Sequence, residues 1–142
     1  MIFDMGNVNG ATAVFVGHAS GITVSGVRFR NKKGGSYIWI EGSKNISVRQ
    51  CVFERKKDVS GLKNRMAVRL ETSNQTTSDF SSKWYKKDNT VNKKVKIENN
   101  QFLGADVGIG TTKSVVLEKN KQTKEYYQTS ITIAANTFTN TK

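Results

Sequence analysis

Five side chains of the sequence could take part in proton transfer or in anion binding. Tyr37 and Glu41 flank the segment IWI, Arg65 and Arg69 flank the segment MAV, and Asp106 precedes the segment VGIG. A guanidinium binds a carboxylate through two parallel hydrogen bonds, and a positioned phenol or carboxylate can transfer a proton. If these side chains share one surface, either arginine could hold an anionic group while Tyr37 moves a proton.

Aromatic residues could supply flat contact surfaces beside that set. Phe15 and Trp39 occupy matching positions in VFVG and IWIE, and Trp84 and Tyr85 lie side by side among lysines. We predict that these four aromatic residues contact a ligand. The alternative is structural, because aromatic rings often pack a loop onto its domain.

The elements that would position these residues come from an internal repeat. Four segments align without gaps, with β-branched residues at their first and third positions, a small residue at the sixth and phenylalanine at the eighth. They are ITVSGVRF (22–29), ISVRQCVF (46–53), VKIENNQF (95–102) and ITIAANTF (131–138). Such recurrence indicates one supersecondary unit used several times.

A second strand precedes each aligned segment. Its apolar residues are Val14 and Val16, Ile38 and Ile40, Met66 and Val68, and Val107 and Ile109. The apolar period is two, which indicates strands rather than helices. Stacking these strands in that register predicts three outward columns: Ala13-Tyr37-Arg65-Asp106, Phe15-Trp39-Ala67-Gly108 and Gly17-Glu41-Arg69-Gly110. The third column makes Glu41 and Arg69 neighbours, which could simply form a surface ion pair.

The constant unit-to-unit register favours a solenoid over a β-sandwich, because each unit of a solenoid lies directly on the last. The segments ITVSGVRFRN, ISVRQCVFE, VKIENNQF and ITIAANTFTN resemble the right-handed parallel β-helix of the pectate-lyase-like superfamily. We therefore expect an all-β, right-handed parallel β-helix of about four coils that occupies residues 1–142 as a single domain. Neither end shows the cap that solenoids carry, so we expect a piece of a longer β-helix, or one that stacks end to end on another chain.

Two long insertions interrupt the repeat, at about 71–94 and 111–129. Both enter at the same corner of successive units and should emerge side by side. The first contains Trp84 and Tyr85, and the flanks of the second could form a hairpin turning near Asn120. Long loops often carry function, so the two insertions could form a lid beside the strands, or their aromatic residues could only pack against the strands.

The composition is strongly basic. Lysine and arginine number 23 against 11 acidic residues, a formal net charge of +12. Such a surface favours a polyanionic partner, although it can also serve solubility alone. A nucleic-acid partner is supported by this charge only. No apolar run approaches the ~18 residues of a membrane helix, and the single cysteine, Cys51, is expected to be a buried thiol.

Motifs for cofactors and metals are missing from the sequence: there is no phosphate-binding loop and no cysteine–histidine metal set. The only histidine, His18, lies in a turn, where it is more often incidental than catalytic. The resemblance implies a protein that processes or binds a polysaccharide outside the cell or at its surface. If catalytic, the protein would be a polysaccharide lyase or a glycoside hydrolase. The alternative is a non-catalytic structural or adhesive module of a surface protein or phage tailspike.

Overall fold

A computed structural model describes residues 1–6, 8, 10–55, 66–72, 91–104, 107–111, 115–118 and 124–141. Every regular element in these ranges is a β-strand. The strands are β1 (Ile2–Asp4), β2 (Val14–Gly17), β3 (Thr23–Ser25), β4 (Arg28–Lys32), β5 (Ile38–Glu41), β6 (Lys44–Arg49), β7 (Val52–Arg55), β8 (Met66–Glu71), β9 (Lys93–Glu98), β10 (Gln101–Leu103), β11 (Val107–Gly110), β12 (Val115–Glu118), β13 (Lys124–Tyr127), β14 (Thr129–Ala134) and β15 (Thr137–Thr139).

Three parallel sheets contain most of the strands in the described residues. Sheet A has the order β1-β4-β7-β10-β15, sheet B the order β11-β8-β5-β2, and sheet C the order β14-β9-β6-β3. From β2 onward the chain passes through sheets B, C and A in turn and then repeats this order. In the last repeat, β12 and β13 lie between β11 of sheet B and β14 of sheet C. Sequential strands therefore lie in different sheets, and each strand pairs with its equivalent in the next repeat. This topology is consistent with a parallel β-helix solenoid.

A column of stacked phenylalanines runs through sheet A. Phe29 lies 5.1 Å from Phe53, Phe53 lies 4.9 Å from Phe102, and Phe102 lies 4.9 Å from Phe138, all between ring centroids. The alignment of the four repeats is thus confirmed. Phe3, which the alignment missed, extends the column at 5.6 Å from Phe29. Such pairs contribute about 0.5–1.5 kcal/mol beyond their burial.

Aliphatic residues form parallel columns in sheet C. The Cα partners include Val24 with Val48, Val48 with Ile97, and Ile97 with Ile133. Val48 and Ile97 are fully buried, and so are the phenylalanines in the middle of the column in sheet A. The apolar interior therefore lies between the three sheets, as the period-two pattern requires.

The corner between sheets C and A is built from a left-handed residue followed by an inward small one. The left-handed residues are Gly26, Gln50, Asn99 and Ala135, with φ between 52° and 66°. The inward amide of Asn100 accepts a hydrogen bond from Cys51 N at 2.9 Å and donates one to Val48 O at 2.9 Å. Asn136 repeats this arrangement one strand further on. The side chains therefore satisfy backbone groups that the tight corner leaves unpaired.

A second polar ladder occupies the corner between sheets B and C. Asn92 Oδ1 accepts from Ser43 N at 2.9 Å, and Asn92 Nδ2 donates to Ile40 O at 3.2 Å and to Gln128 Oε1 at 2.8 Å. Cys51, at the other corner, is buried as expected.

One predicted register is wrong. β5 pairs with β8 so that Ile38 faces Val68 and Trp39 faces Arg69, which is two residues away from the predicted alignment. A shift of two residues leaves every side chain on the same face of the sheet, so the apolar pattern does not distinguish the two registers. Glu41 consequently faces Glu71 rather than Arg69.

The second insertion contains the predicted hairpin. β12 and β13 pair antiparallel, with Val115 opposite Tyr127 and Glu118 opposite Lys124, and the turn predicted near Asn120 lies outside the described residues. The first insertion, predicted at about 71–94, falls between the end of β8 at Glu71 and the start of β9 at Lys93, and residues 73–90 of it lie outside the described residues.

Candidate functional site

Tyr37, a predicted proton-transfer residue, is part of the core. Its side chain is fully buried, and its ring centroid lies 5.6 Å from Phe29 and 6.1 Å from Phe53. Its hydroxyl accepts a hydrogen bond from Lys32 N at 3.1 Å and donates one to Glu54 O. Burial raises the pKa of the phenol. The outward orientation was wrong because Tyr37 belongs to the loop before β5, where strand alternation does not yet apply.

Arg69 is held on the outer face of sheet B. Its Cζ lies 4.2 Å from the centroid of Trp39, and its Nε donates to Glu71 Oε1 at 2.8 Å. Glu71 and Glu41 are both buried. The guanidinium therefore has an aromatic and an ionic partner within the protein, and its two neighbouring carboxylates are withdrawn from solvent.

Phe15 and Trp39 lie on the same face. Their rings meet edge to face, with centroids 5.6 Å apart. Phe15 is 37% exposed, whereas Trp39 is only 4% exposed. A ligand could therefore reach Phe15, but it could not stack on Trp39 in this conformation. The structure thus groups four predicted residues, Phe15, Trp39, Arg69 and Glu41, on the outer face of sheet B.

Four other predicted site residues lie outside the described residues: Arg65, Asp106, Trp84 and Tyr85.

A basic surface on sheet C was not predicted as a site. Lys44 of β6 and Lys93 of β9 are Cα partners, and Lys96 faces Ser47 in the same pair of strands. Lys94 has a φ of 55°, and Asn45 and Ser130, which flank it in the neighbouring strands, have φ of 55° and 56°. The left-handed conformation of Lys94 interrupts the alternation of side chains along β9, so Lys93, Lys94 and Lys96 are all exposed.

Two concavities of about 360 Å³ each lie along these lysines. The first is lined by His18, Ser20, Gly42, Lys44, Val91 and Lys93. The second is lined by Asn45, Ser47, Lys94, Lys96, Ser130 and Thr132. Since Lys44 precedes Asn45 and Lys93 precedes Lys94, the same two strands contribute to both concavities. We call Lys44, Lys93, Lys94 and Lys96 the sheet C lysine cluster.

The charges of the sheet C lysine cluster are not neutralised within the described part of the protein. The ion pairs there join Arg28 to Glu54, Arg30 to Asp4 and Arg69 to Glu71. Like charges on directly opposed residues destabilise a sheet, so the Lys44–Lys93 pair is unfavourable without an external anion. The sequence did carry a signal: KNIS, KKVK and TSIT align, and each begins with two exposed polar residues. We missed it by assigning Lys93 and Lys94 to an insertion.

Comparison with known proteins finds no matching family model, and no curated protein or solved structure is significantly similar to the chain. No helix in the described ranges is long and apolar enough to cross a membrane.

Proposed function

We propose that the protein is a right-handed parallel β-helix of the pectate-lyase-like kind and that it binds an anionic polysaccharide through the sheet C lysine cluster. The repeated passage through three parallel sheets supports the fold, and crossovers between parallel strands are right-handed in nearly all proteins. The observation that carries the function is the opposed Lys44–Lys93 pair with Lys94 and Lys96 beside it.

A polymer suits this cluster better than a single small anion. Lys93, Lys94 and Lys96 follow one another along β9, and Lys44 lies on the neighbouring strand β6, ~4.8 Å away across the sheet. Each exposed ion pair contributes only about 0–1 kcal/mol. Useful affinity therefore requires several simultaneous contacts, which a chain carrying an anionic group on each sugar provides. The serines, threonine and asparagine in the second concavity can bind sugar hydroxyls.

Binding without cleavage is the form of the proposal that the described residues favour. Glycosidases need two carboxylates about 5–9.5 Å apart at the reacting bond. Of the carboxylates whose side chains are described, Glu41 and Glu71 are buried, Asp4 and Glu54 are paired with arginines, and the half-buried Glu98 is opposite Arg49 in the sheet. This supports a structural or adhesive module of a cell-surface protein or tailspike, placed outside the cell.

Catalysis is the second candidate, and it would place a polysaccharide lyase or glycoside hydrolase centre on sheet B. Arg69, with Trp39 and Phe15 beside it, is the group that favours this candidate. Incubation with acidic polysaccharides would reveal it through new reducing ends or through the ultraviolet absorbance of an unsaturated product.

Affinity electrophoresis tests the binding proposal. We expect polygalacturonate in the gel to retard the protein and neutral dextran to leave its migration unchanged. The K93Q/K96Q double variant should lose most of the retardation, whereas K33Q, which removes an exposed lysine elsewhere, should keep it. Equal retardation of the two variants would refute the assignment. Stronger retardation by DNA than by polygalacturonate would point to nucleic acid instead.

A further inference from the structure

Two cationic side chains are buried side by side where sheet A ends. Lys32 and Arg55 are Cα partners, and they are 0% and 6% exposed. The pairing of β4 with β7 shifts between Phe29 and Lys32, next to Asn31 with a φ of 63°. This irregularity interrupts the alternation of β4, and Lys32 is buried instead of pointing to solvent.

Arg55 has several partners inside the protein. Its guanidinium donates to Lys33 O at 3.4 Å, to Met66 O at 3.0 Å and to Gly35 O. It also lies 5.1 Å from the centroid of Tyr37. Arg55 thus fixes the loop that follows β4.

The ammonium of Lys32 has no hydrogen-bond partner among the described residues, and neither has the buried hydroxyl of Ser36 in the same loop. An isolated charge in the interior is very costly, and a buried polar atom without a partner calls for a bound water or ion. The residue paired with Lys32 across the sheet, Arg55, carries a like charge and does not compensate it.

The loop between Lys32 and Ser36 contains a glycine turn beside the buried ammonium. Its sequence is KKGGS, and of its two glycines only Gly35 has a positive φ, of 69°. Such a change in the sign of φ can turn successive N–H groups toward one concavity. The position that a Cβ would occupy on Gly35 is 3.5 Å from Lys32 Nζ, so the ammonium lies against this turn.

We propose that Lys32 Nζ, Ser36 Oγ and the Gly34–Gly35 turn bind a small oxyanion such as phosphate or sulfate, with Arg55 at its side. Arg55 and Asn31 also line a surface concavity of about 280 Å³ together with Glu54, so the neighbourhood of the site borders on solvent. The site lies in the loop after sheet A, away from the sheet C lysine cluster, and goes beyond the proposed polysaccharide binding.

Thermal unfolding across a phosphate titration at neutral pH and constant ionic strength tests this site. We expect the unfolding midpoint of the wild-type protein and of K33M to rise with phosphate more steeply than that of K32M, because an anion that binds only the folded state stabilises it. Phosphate also stabilises proteins in general, and the slope of K32M measures that effect. Equal slopes for wild type and K32M would overturn the proposal.

A direct binding measurement keeps the test decisive if K32M folds poorly. We expect the ³¹P resonance of inorganic phosphate to broaden with the wild-type protein and to broaden several-fold less with S36A. An excess of sulfate should reverse the broadening. Identical broadening by wild type and S36A, or none with wild type, would also overturn the site.

Discussion

The ring of Phe53 lies within 2° of parallel to the ring of Phe29 in the neighbouring strand, with the centroids 5.1 Å apart. Phe53 lies in the middle of the phenylalanine column, because Phe102 covers its other face at 4.9 Å. The column joins strands that are far apart in sequence, and its loss should therefore be felt throughout the fold.

The loss of stability on truncating a phenylalanine of this column should depend on how deeply that ring is buried. We expect F53A to lower the free energy of unfolding by about 3–5 kcal/mol, because it removes a fully buried ring and leaves a cavity. F138A should cost less, since Phe138 ends the column and is 46% exposed. Denaturant titration measures both. Equal losses would contradict a stacked column with a buried centre.

The buried amide of Asn100, in the corner between sheets C and A, gives a second stability prediction. N100A removes an amide that satisfies Cys51 N and Val48 O, so both backbone groups become unpaired in a buried place. We expect a loss of about 1–3 kcal/mol for each group left without a partner. Q101A, at the exposed neighbouring position, is the control and should change stability little. If both variants unfold at the same denaturant concentration, the corner does not depend on the amide.

Because Lys32 is buried, we expect the free energy of unfolding to rise as the pH becomes alkaline. Burial, together with Arg55, lowers the pKa of Lys32 from 10.5 to about 8. Below pH 8 the amine is charged in both states, and the folded state bears the cost of burying it. Between pH 8 and 10.5 the unfolded chain binds more protons than the folded one, so stability rises with pH.

The measurement is the difference in free energy of unfolding between wild type and K32M, in a buffer without oxyanions. Subtraction removes Cys51 and Tyr37, whose raised pKa values act in the opposite direction at alkaline pH. We expect the difference to shift in favour of wild type across this window. A constant difference would mean that Lys32 keeps its ordinary pKa.

A variant of Trp39 distinguishes between sheet B and sheet C as the face that binds the polysaccharide. W39A removes a buried ring that packs against Phe15 and Arg69, and should destabilise the protein by about 3–5 kcal/mol. Because the ring is almost inaccessible, the folded variant should bind polygalacturonate as wild type does. A folded W39A protein that loses affinity would move the binding site to sheet B.

The repeat could be identified from sequence because its signal is redundant. The β-branched residues and the phenylalanine recur at the same spacing four times, so the stacking of Phe29, Phe53, Phe102 and Phe138 follows from alignment alone. The register of Trp39 against Arg69 could not be found this way. A slip of two residues preserves the inward and outward faces, and only the cross-strand contacts select one register.

The candidate site was harder to predict because it depends on backbone exceptions. Lys94 is exposed next to Lys93 only because of its left-handed conformation, and Lys32 is buried only because β4 and β7 change register. Tyr37 points inward because it precedes its strand. At each of these positions the local geometry breaks the alternation on which sequence reasoning relies.

Lysine acetylation footprinting, read by mass spectrometry, tests the central claim most directly. On adding polygalacturonate to the wild-type protein, we predict that Lys44, Lys93, Lys94 and Lys96 lose most of their reactivity while Lys33 keeps its own. Protection of Lys33 to the same degree, or full reactivity of all four lysines in the presence of bound polymer, would contradict the assignment of the binding surface to sheet C.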